Sequence, residues 1–260
     1  MTRGAAIGLV AAMLAIGALR WAVVGGGDAT PPPYEPPLGS ALVPMPAPPA
    51  GGAQASDDAI AAPSLVASAR TNAITLYARP DGAASSSTLD SPGDLGSPRV
   101  FLVLGRAGEW LQVLLPIRPN ESIGWVRAID VSLRTTSFRV RVELGAHRIT
   151  VWDGATVVLR APAGIGRAMT STPTGLYFVT DLLRPPDAGD LYGPYALGLS
   201  AYSERLNEFR GGPGQIGIHG TNDPQGLGRD VSHGCIRIAN DQITRIAHLL
   251  PLGTPVFITR

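Results

Sequence analysis

From about residue 64 to the C-terminus, the sequence consists largely of short apolar runs with a two-residue period, separated by glycine, proline and aspartate. Val140, Val142 and Leu144, for example, alternate with charged residues, so one face of this segment can be buried while the other stays in solvent. A later run turns back on itself at Asp153–Gly154, a dipeptide that favours a tight hairpin. The pattern predicts a mainly β protein.

Only one segment has the period of a helix. Apolar side chains recur every three or four residues between 241 and 250, Asn240 is suited to cap the first turn, and Pro251 ends the segment. We therefore expect a β domain over residues 138–260 with one helix near its C-terminal end.

The region 64–135 combines short strands with tryptophan-containing motifs. It carries G-E-W-x-x-V at 108–113 and G-W-V at 124–126. These motifs resemble those of bacterial SH3-like domains, and the resemblance implies a small SH3-like barrel ahead of a second, β-sandwich-like domain. Such domains are often wall-binding modules, but a packing or spacing role fits the motifs equally well.

The N-terminus has the pattern of an export signal. Arg3 precedes an apolar run over 5–19, which predicts either a signal peptide over 1–29 or an uncleaved inner-membrane anchor formed by residues 4–24. Residues 30–63 are rich in proline and alanine, which predicts an extended linker. We expect an exported protein.

The overall charge bears on the choice of partner. The formal net charge is only +1, whereas binding to nucleic-acid phosphates needs a basic surplus. We therefore expect no nucleic-acid partner.

The only cysteine, Cys235, lies in a glycine-containing segment with two of the four histidines, His219 and His233. Exported proteins normally pair their cysteines, so a lone one suggests a reactive thiol. A nearby imidazole can take the thiol proton and later return it to a leaving group. Gly234 favours a tight turn in which backbone N–H groups can approach a substrate oxyanion. These residue types predict thiol-based acyl transfer.

Three other interpretations concern the same segment. His219 and His233 could be structural histidines, although two of them in one glycine-rich cluster with the sole cysteine argue against this. His219, His233 and Cys235 could bind zinc, but their spacing matches no zinc pattern that we can derive. Arg237 could be an ordinary surface charge, or it could bind a substrate carboxylate. We expect no metal site and leave the role of Arg237 open at this point.

The segment HGTNDPQGLGRDVSHGCIRIAN, residues 219–240, closely resembles the signature of the L,D-transpeptidases, the YkuD-type catalytic domain. The upstream segments TPTG (172–175) and GPYALGLS (193–200) are similar to that family's substrate-cleft strands. The resemblance covers about residues 138–260 and implies the role of each matched residue. Cys235 would be the nucleophile and His219 the general acid and base. The remaining assignments are a supporting role in the catalytic turn for Ser232, His233, Gly234 and Gly220, and donor binding for Arg237.

The resemblance also implies a bacterial envelope enzyme, periplasmic or facing the cell wall, and it implies the reaction. Cys235 would attack the carbonyl of the third residue of a peptidoglycan tetrapeptide stem, release D-alanine and form a thioester, which the amine of a second stem resolves into a 3→3 cross-link. The family needs no cofactor and is typically sensitive to carbapenems. Alternatives are an L,D-carboxypeptidase, in which water resolves the thioester, transfer to a lipoprotein lysine, and a non-catalytic wall-binding protein.

Every candidate catalytic residue lies after residue 170. From the sequence we therefore expect the region 65–134 to be dispensable for acylation itself.

Overall fold

The computed structural model describes residues 62–82 and 86–260, together with a two-residue strand, β1 (Ala22–Val23). Apart from that strand and residues 62–63, the predicted signal or anchor over 1–29 and the linker over 30–63 lie outside the described residues. Within the described part of the chain, no helix has both the length and the apolar character needed to cross a membrane.

The first sheet contains seven strands that follow one another closely in sequence. Their bounds are β2 (Ser64–Ala69), β3 (Ala73–Tyr77), β4 (Ser86–Asp90), β5 (Val100–Ala107), β6 (Trp110–Leu114), β7 (Ile123–Arg127) and β8 (Val131–Thr136). The order across the sheet is β4-β3-β7-β6-β5-β2-β8. Gly108, with a φ of +59°, makes the tight turn between β5 and β6. The region is a β unit with its own apolar core, and its likeness to SH3-like barrels stays a prediction.

The second sheet contains the strands that carry the candidate site. Its members are β9 (Phe138–Glu143), β10 (Arg148–Asp153), β11 (Thr156–Pro162), β13 (Gly175–Arg184), β14 (Ala196–Tyr202), β15 (Gln215–His219), β17 (Ile236–Arg237) and β18 (Pro255–Thr259). Their order is β11-β10-β9-β18-β13-β14-β15-β17, and β1 pairs with β13. A small parallel pair, β12 (Ile165–Gly166) and β16 (Asp230–Ser232), lies beside it.

The alternation read from the sequence is present in this sheet. Val140 and Val142 of β9 are fully buried, and β10 and β11 form the expected hairpin, with Gly154 in the turn at a φ of +54°. The prediction of a mainly β chain with one helix is confirmed for the described residues.

The helix α1 (Asn240–Leu249) begins one residue earlier than the sequence predicts, and the predicted cap is wrong. The residue at the N-cap position is Ala239, without a side-chain hydrogen bond, whereas the Asn240 Oδ1 atom accepts a hydrogen bond from the backbone N–H of Thr221 at 2.8 Å. Ile243 and Ile246 bury one side of α1 against the core of the second sheet. The helix therefore anchors the turn that follows β15.

The two sheets share an apolar cluster. Val66, Val100, Leu102 and Leu114 of the first sheet pack with Phe178 of β13, and none of the five is more than 3% exposed. Burial of this kind stabilises by roughly 2 kcal/mol for each large side chain. The first sheet is thus packed firmly against the one that carries the candidate site.

Candidate active site

The parallel pairing of β15 with β17 places the candidate nucleophile beside the candidate base. Ile218 pairs with Ile236, and His219 pairs with Arg237. Because side chains alternate along a strand, and because both isoleucines are fully buried in the core, His219 and Arg237 lie on the other face. Cys235, which directly precedes β17, lies on that same face. All three residues line one cleft.

Ser232 holds the turn that leads into Cys235. Its hydroxyl donates a hydrogen bond to the carbonyl of Cys235 at 2.6 Å and accepts one from the N–H of Gly234 at 3.0 Å. Gly234 has a φ of +127°, and a Cβ atom there would lie 2.8 Å from the Cδ1 atom of Ile216, so glycine is required. Since the N–H of Gly234 is bound within the turn, another donor has to stabilise a substrate oxyanion.

Thr172 supports the same turn from a distant part of the chain. Its hydroxyl donates to the carbonyl of Gly234 at 2.8 Å and accepts from the N–H of Gly166 at 3.0 Å. The residue is buried, so both bonds are shielded from water. Sequence reasoning placed Thr172 in a cleft segment but assigned it no role. Its partner lies 62 residues away, and no local pattern indicates such a contact.

His219 is held in a defined tautomer. Its Nδ1 atom lies 2.6 Å from the carbonyl oxygen of Gly220. A carbonyl oxygen only accepts, so Nδ1 carries the proton and donates it. In the neutral ring the Nε2 atom then has a free lone pair. The imidazole is therefore prepared to accept a proton at Nε2.

The cleft favours neutral forms of the thiol and the imidazole. The pKa of His219 is lowered to about 4: burial is the largest cause, the hydrogen bond to Gly220 partly compensates, and the positive charge of Arg237 contributes to the lowering. Burial also raises the pKa of the Cys235 thiol, although a hydrogen bond from the Gly217 backbone and the charge of Arg237 lower it in part. At neutral pH a thiol faces the cleft, and an unprotonated imidazole shares it.

His233 lies in a different environment from His219. It is exposed, and its ring packs against the ring of Phe209, with centroids 5.1 Å apart. Among the residues that the structure describes, no group of three or more histidine, cysteine, aspartate or glutamate side chains is arranged to hold a metal ion. The structure therefore brings His219 and Cys235 together in the cleft, and places His233 at its rim.

Arg237 is the cation of the cleft. Its backbone forms two hydrogen bonds with Gly164, each of 2.8 Å, and these fix the position of the strand. Its Nε atom is buried, and among the described residues it has no hydrogen-bond partner. A buried donor without a partner costs roughly 1–3 kcal/mol, so an acceptor on a bound substrate would be favoured at this point.

Tyr192 is a cleft residue that sequence reasoning missed. Its ring meets that of His219 edge to face, with centroids 4.9 Å apart, and it lines the cleft with Cys235. Burial raises the pKa of Tyr192, so the hydroxyl stays protonated at neutral pH. The cleft segment read from the sequence begins at Gly193, one residue too late to include it. An aromatic residue directly before that motif is the signal that was available.

In the turn after His219, two glycines leave room for the side chain of Asn240. A Cβ atom at Gly220 would lie 2.3 Å from the Asn240 Oδ1 atom, and one at Gly193 would lie 2.5 Å from the same oxygen. Both glycines are therefore needed for the close approach of Asn240 to the backbone of Thr221. The supporting role of Gly220 in the catalytic turn stays a prediction.

Comparisons with known proteins show the family of this chain. Residues 137–258 match the YkuD family, the L,D-transpeptidase catalytic domain. YkuD of Bacillus subtilis (strain 168) is 34% identical over 126 residues, which cover 48% of this chain and 68% of that protein. YkuD of Bacillus licheniformis is 33% identical over 155 residues, 57% of this chain and 86% of that protein. The chain belongs to the L,D-transpeptidase family.

Solved structures are also similar. An L,D-transpeptidase from Mycobacterium tuberculosis H37Rv is 17% identical, with a TM-score of 0.43, and the match covers 62% of this chain and 90% of that one.

Proposed function

We propose that the protein is an L,D-transpeptidase of peptidoglycan stem peptides, with Cys235 as nucleophile and His219 as general acid and base. The observation that carries the proposal is the state of His219: the Nδ1–H is committed to the Gly220 carbonyl, and a pKa of about 4 keeps Nε2 unprotonated beside the only thiol of the chain. Members of this family act on peptidoglycan stem peptides outside the cytoplasm, and we propose the same substrate and location here.

The proposed first half-reaction forms a thioester. The Cys235 sulfur attacks the carbonyl carbon of the third stem residue while Nε2 of His219 takes the thiol proton. The bond to the D-alanine nitrogen then breaks, and His219 returns the proton to the departing amine. Since both groups rest in neutral forms, the proton moves in step with the attack, and no standing thiolate is needed.

The second half-reaction resolves the thioester. The amine of an acceptor stem attacks the thioester carbon, His219 takes the proton from that amine, and the thiol is released and protonated again. The product is a 3→3 cross-link. Arg237 carries the fixed positive charge of the cleft, and its unpaired Nε–H is suited to bind an oxygen of the donor.

His219 is a better base than His233 in this arrangement. His219 is 3% exposed and held by its own backbone neighbour, whereas His233 is exposed and packs against Phe209. A base must be within hydrogen-bond reach of the proton it removes, and a buried, anchored imidazole keeps that geometry. The proposal gives His233 a supporting role at the rim.

Mass spectrometry of the products tests the function. The purified protein is mixed with a disaccharide-tetrapeptide, and the products are separated and weighed. Cross-linked dimers with loss of D-alanine support transpeptidation. Tripeptide alone would show that water resolves the thioester and that the protein is an L,D-carboxypeptidase. Unchanged substrate, together with a protein mass that shows no acyl adduct on Cys235, would contradict both activities.

A further inference from the structure

A loop of the second sheet forms one wall of the active-site cleft. The loop covers residues 203–214 and connects β14 to β15, and we call it the cover loop. Its residues Ser203, Leu206, Phe209 and Gly214 line the cleft, and Phe209 packs on His233 in the turn that carries the nucleophile. A displacement of the cover loop would therefore change the shape of the site itself.

The cover loop contains little that would hold it in place by itself. Three of its twelve residues are glycine, which loses more conformational freedom on ordering than any other residue. One backbone bond closes the base of the loop, from the Ser203 N–H to the Gly214 carbonyl at 2.8 Å. Its other internal hydrogen bonds are local: the N–H groups of Arg205 and Leu206 donate to the Ser203 hydroxyl, and Phe209 and Gly212 exchange two backbone bonds of 2.9 and 3.0 Å. An external contact is needed to fix the loop relative to the cleft.

Arg118, in the connection between β6 and β7 of the first sheet, supplies that contact. Its guanidinium donates to the carbonyl of Ser203 at 2.6 Å, and to the carbonyls of Leu206 and Pro213 at 3.0 Å each. It also lies over the ring of Tyr202, 5.0 Å from the centroid. Two of the three carbonyls come from the first four residues of the cover loop, and the third comes from near its end. One planar cation with five donors can bind all three at once, which a shorter or singly donating side chain cannot.

Neighbouring residues of the same segment hold the base of the loop. The Asn120 side chain donates to the Tyr202 carbonyl at 2.8 Å and accepts from the Tyr202 N–H at 2.8 Å, so it pairs with that backbone as a strand would. The Tyr202 hydroxyl donates to the carbonyl of Pro116 at 3.0 Å. Gly214, at a φ of +70°, leaves room for the approach, since a Cβ atom there would lie 2.3 Å from the Leu206 carbonyl oxygen.

We propose that Arg118 is a positioning residue of the active site, which holds the cover loop against the nucleophile turn so that the first sheet's region completes the substrate cleft. The inference rests on the proposed function for its catalytic consequence. It opposes the sequence-based expectation that residues 65–134 are dispensable for acylation. The region 65–134 then has a structural role in the enzyme, in addition to any wall-binding role.

The test compares Arg118→Ala with Arg118→Lys and with a matched control, Arg106→Ala. Arg106 is an arginine of the same region that also donates to a backbone carbonyl, that of Gly108 at 2.8 Å, but this bond lies within the β5–β6 hairpin. Each full-length variant is measured in two ways. Hydrogen exchange follows the amides of the cover loop, and steady-state kinetics use the tetrapeptide donor.

In Arg118→Ala we expect cover-loop amides to exchange about tenfold faster or more, since hydrogen bonds at both ends of the loop are lost. We expect KM for the donor to rise about tenfold with a smaller change in kcat, because the reacting groups stay in place while the cleft wall does not. Arg118→Lys keeps the charge and can keep one or two of the three hydrogen bonds, so both effects should be smaller than in Arg118→Ala. Arg106→Ala should behave as wild type.

The two measurements test different parts of the proposal. Unchanged cover-loop exchange in Arg118→Ala would overturn the inference whatever the kinetics, and this arm needs no substrate. Faster exchange with wild-type kinetics would overturn the positioning role. A wild-type protein without transpeptidation would contradict the proposed function, while the exchange arm would still decide whether Arg118 holds the loop. If Arg118→Ala does not fold, the graded response of Arg118→Lys decides in its place.

Discussion

The side-chain oxygen of Asn240, the first residue of the helix, accepts a hydrogen bond of 2.8 Å from the backbone of Thr221, two residues after His219. The sequence separation is 19 residues, so the contact is tertiary and not a helix cap. It fixes the backbone carbonyl of Gly220 that holds the His219 ring. The helix therefore helps to position the proposed general base, His219, through one turn of backbone.

This relationship predicts a coupled effect of two substitutions. Asn240→Ala removes the acceptor of the Thr221 N–H and should destabilise the protein by about 1–2 kcal/mol. Gly220→Ala should destabilise it more, because the new Cβ would lie 2.3 Å from the Asn240 oxygen. In the double variant the costs should be less than additive, since that oxygen is gone. Urea unfolding of the four proteins measures the coupling, and strict additivity would contradict it.

The second prediction concerns the reacting pair. Cys235→Ala should abolish acylation by a carbapenem, because the chain has no other thiol, and Cys235→Ser should be nearly inactive. His219→Ala should slow acylation by roughly two to four orders of magnitude, the usual contribution of a positioned acid and base. His233→Ala should cost less. Single-turnover acylation followed by intact mass gives each rate.

Thermal melts of each variant are the control for folding in this experiment. Wild-type acylation in His219→Ala with a large loss in His233→Ala would mean that His233 is the base. An adduct on Cys235→Ala would remove the thiol mechanism.

The third prediction follows from the pKa of His219, which lies at about 4 in the folded protein and at 6.5 when unperturbed. As pH falls below 6.5, His219 is protonated in the unfolded chain but stays neutral in the folded protein. The free energy of unfolding therefore falls until pH reaches about 4. The loss amounts to roughly 3 kcal/mol at most. His219→Gln cannot titrate there and should lose less stability over this window. Parallel stability curves for the two proteins in urea between pH 7 and 4 would contradict it.

The fourth prediction concerns metals. Activity should be unchanged after dialysis against a chelator, because the mechanism uses only the thiol, the imidazole and a guanidinium. Elemental analysis of the same samples provides the control. Stoichiometric zinc whose removal abolishes activity would contradict the mechanism and favour the metal interpretation of His219, His233 and Cys235.

The fifth prediction is that the fragment 138–260 is impaired relative to the full chain. It would expose Phe178, which is fully buried between the sheets, and lose the Arg118 contacts to the cover loop. We expect a lower melting temperature, a tendency to aggregate and slower carbapenem acylation. The full-length wild-type protein serves as the reference. A soluble fragment with the full chain's melting temperature and acylation rate would show that the first sheet contributes nothing.

The parts of the fold with a local signal were predictable from the sequence. The two-residue period around Val140 predicted a half-buried strand, and Asp153–Gly154 predicted a hairpin, because both signals lie within a few residues. Asn240 was assigned as a cap for the same local reason, and incorrectly, since its partner lies on another element.

The candidate site also has residues that the sequence indicates and residues that only the structure shows. Cys235, His219 and Ser232 carry distinctive residue types in one short segment, so the sequence placed them together. Thr172 and its partner Gly234 are 62 positions apart, and Arg118 and Ser203 are 85 positions apart. No local sequence pattern indicates that a threonine or an exposed arginine will bind a carbonyl so far along the chain. Only the folded chain brings these groups together.

The parallel pairing of β15 and β17 has a consequence for how this site can vary. His219 and Cys235 are placed by the alignment of two strand ends, and not by the number of residues between them. The intervening stretch includes the exposed residues Asn222–Gln225, where the chain runs over the surface. Insertions there should therefore leave the reacting atoms in place, so that enzymes with this site can differ in this loop's length, and in what it touches, while the chemistry stays the same.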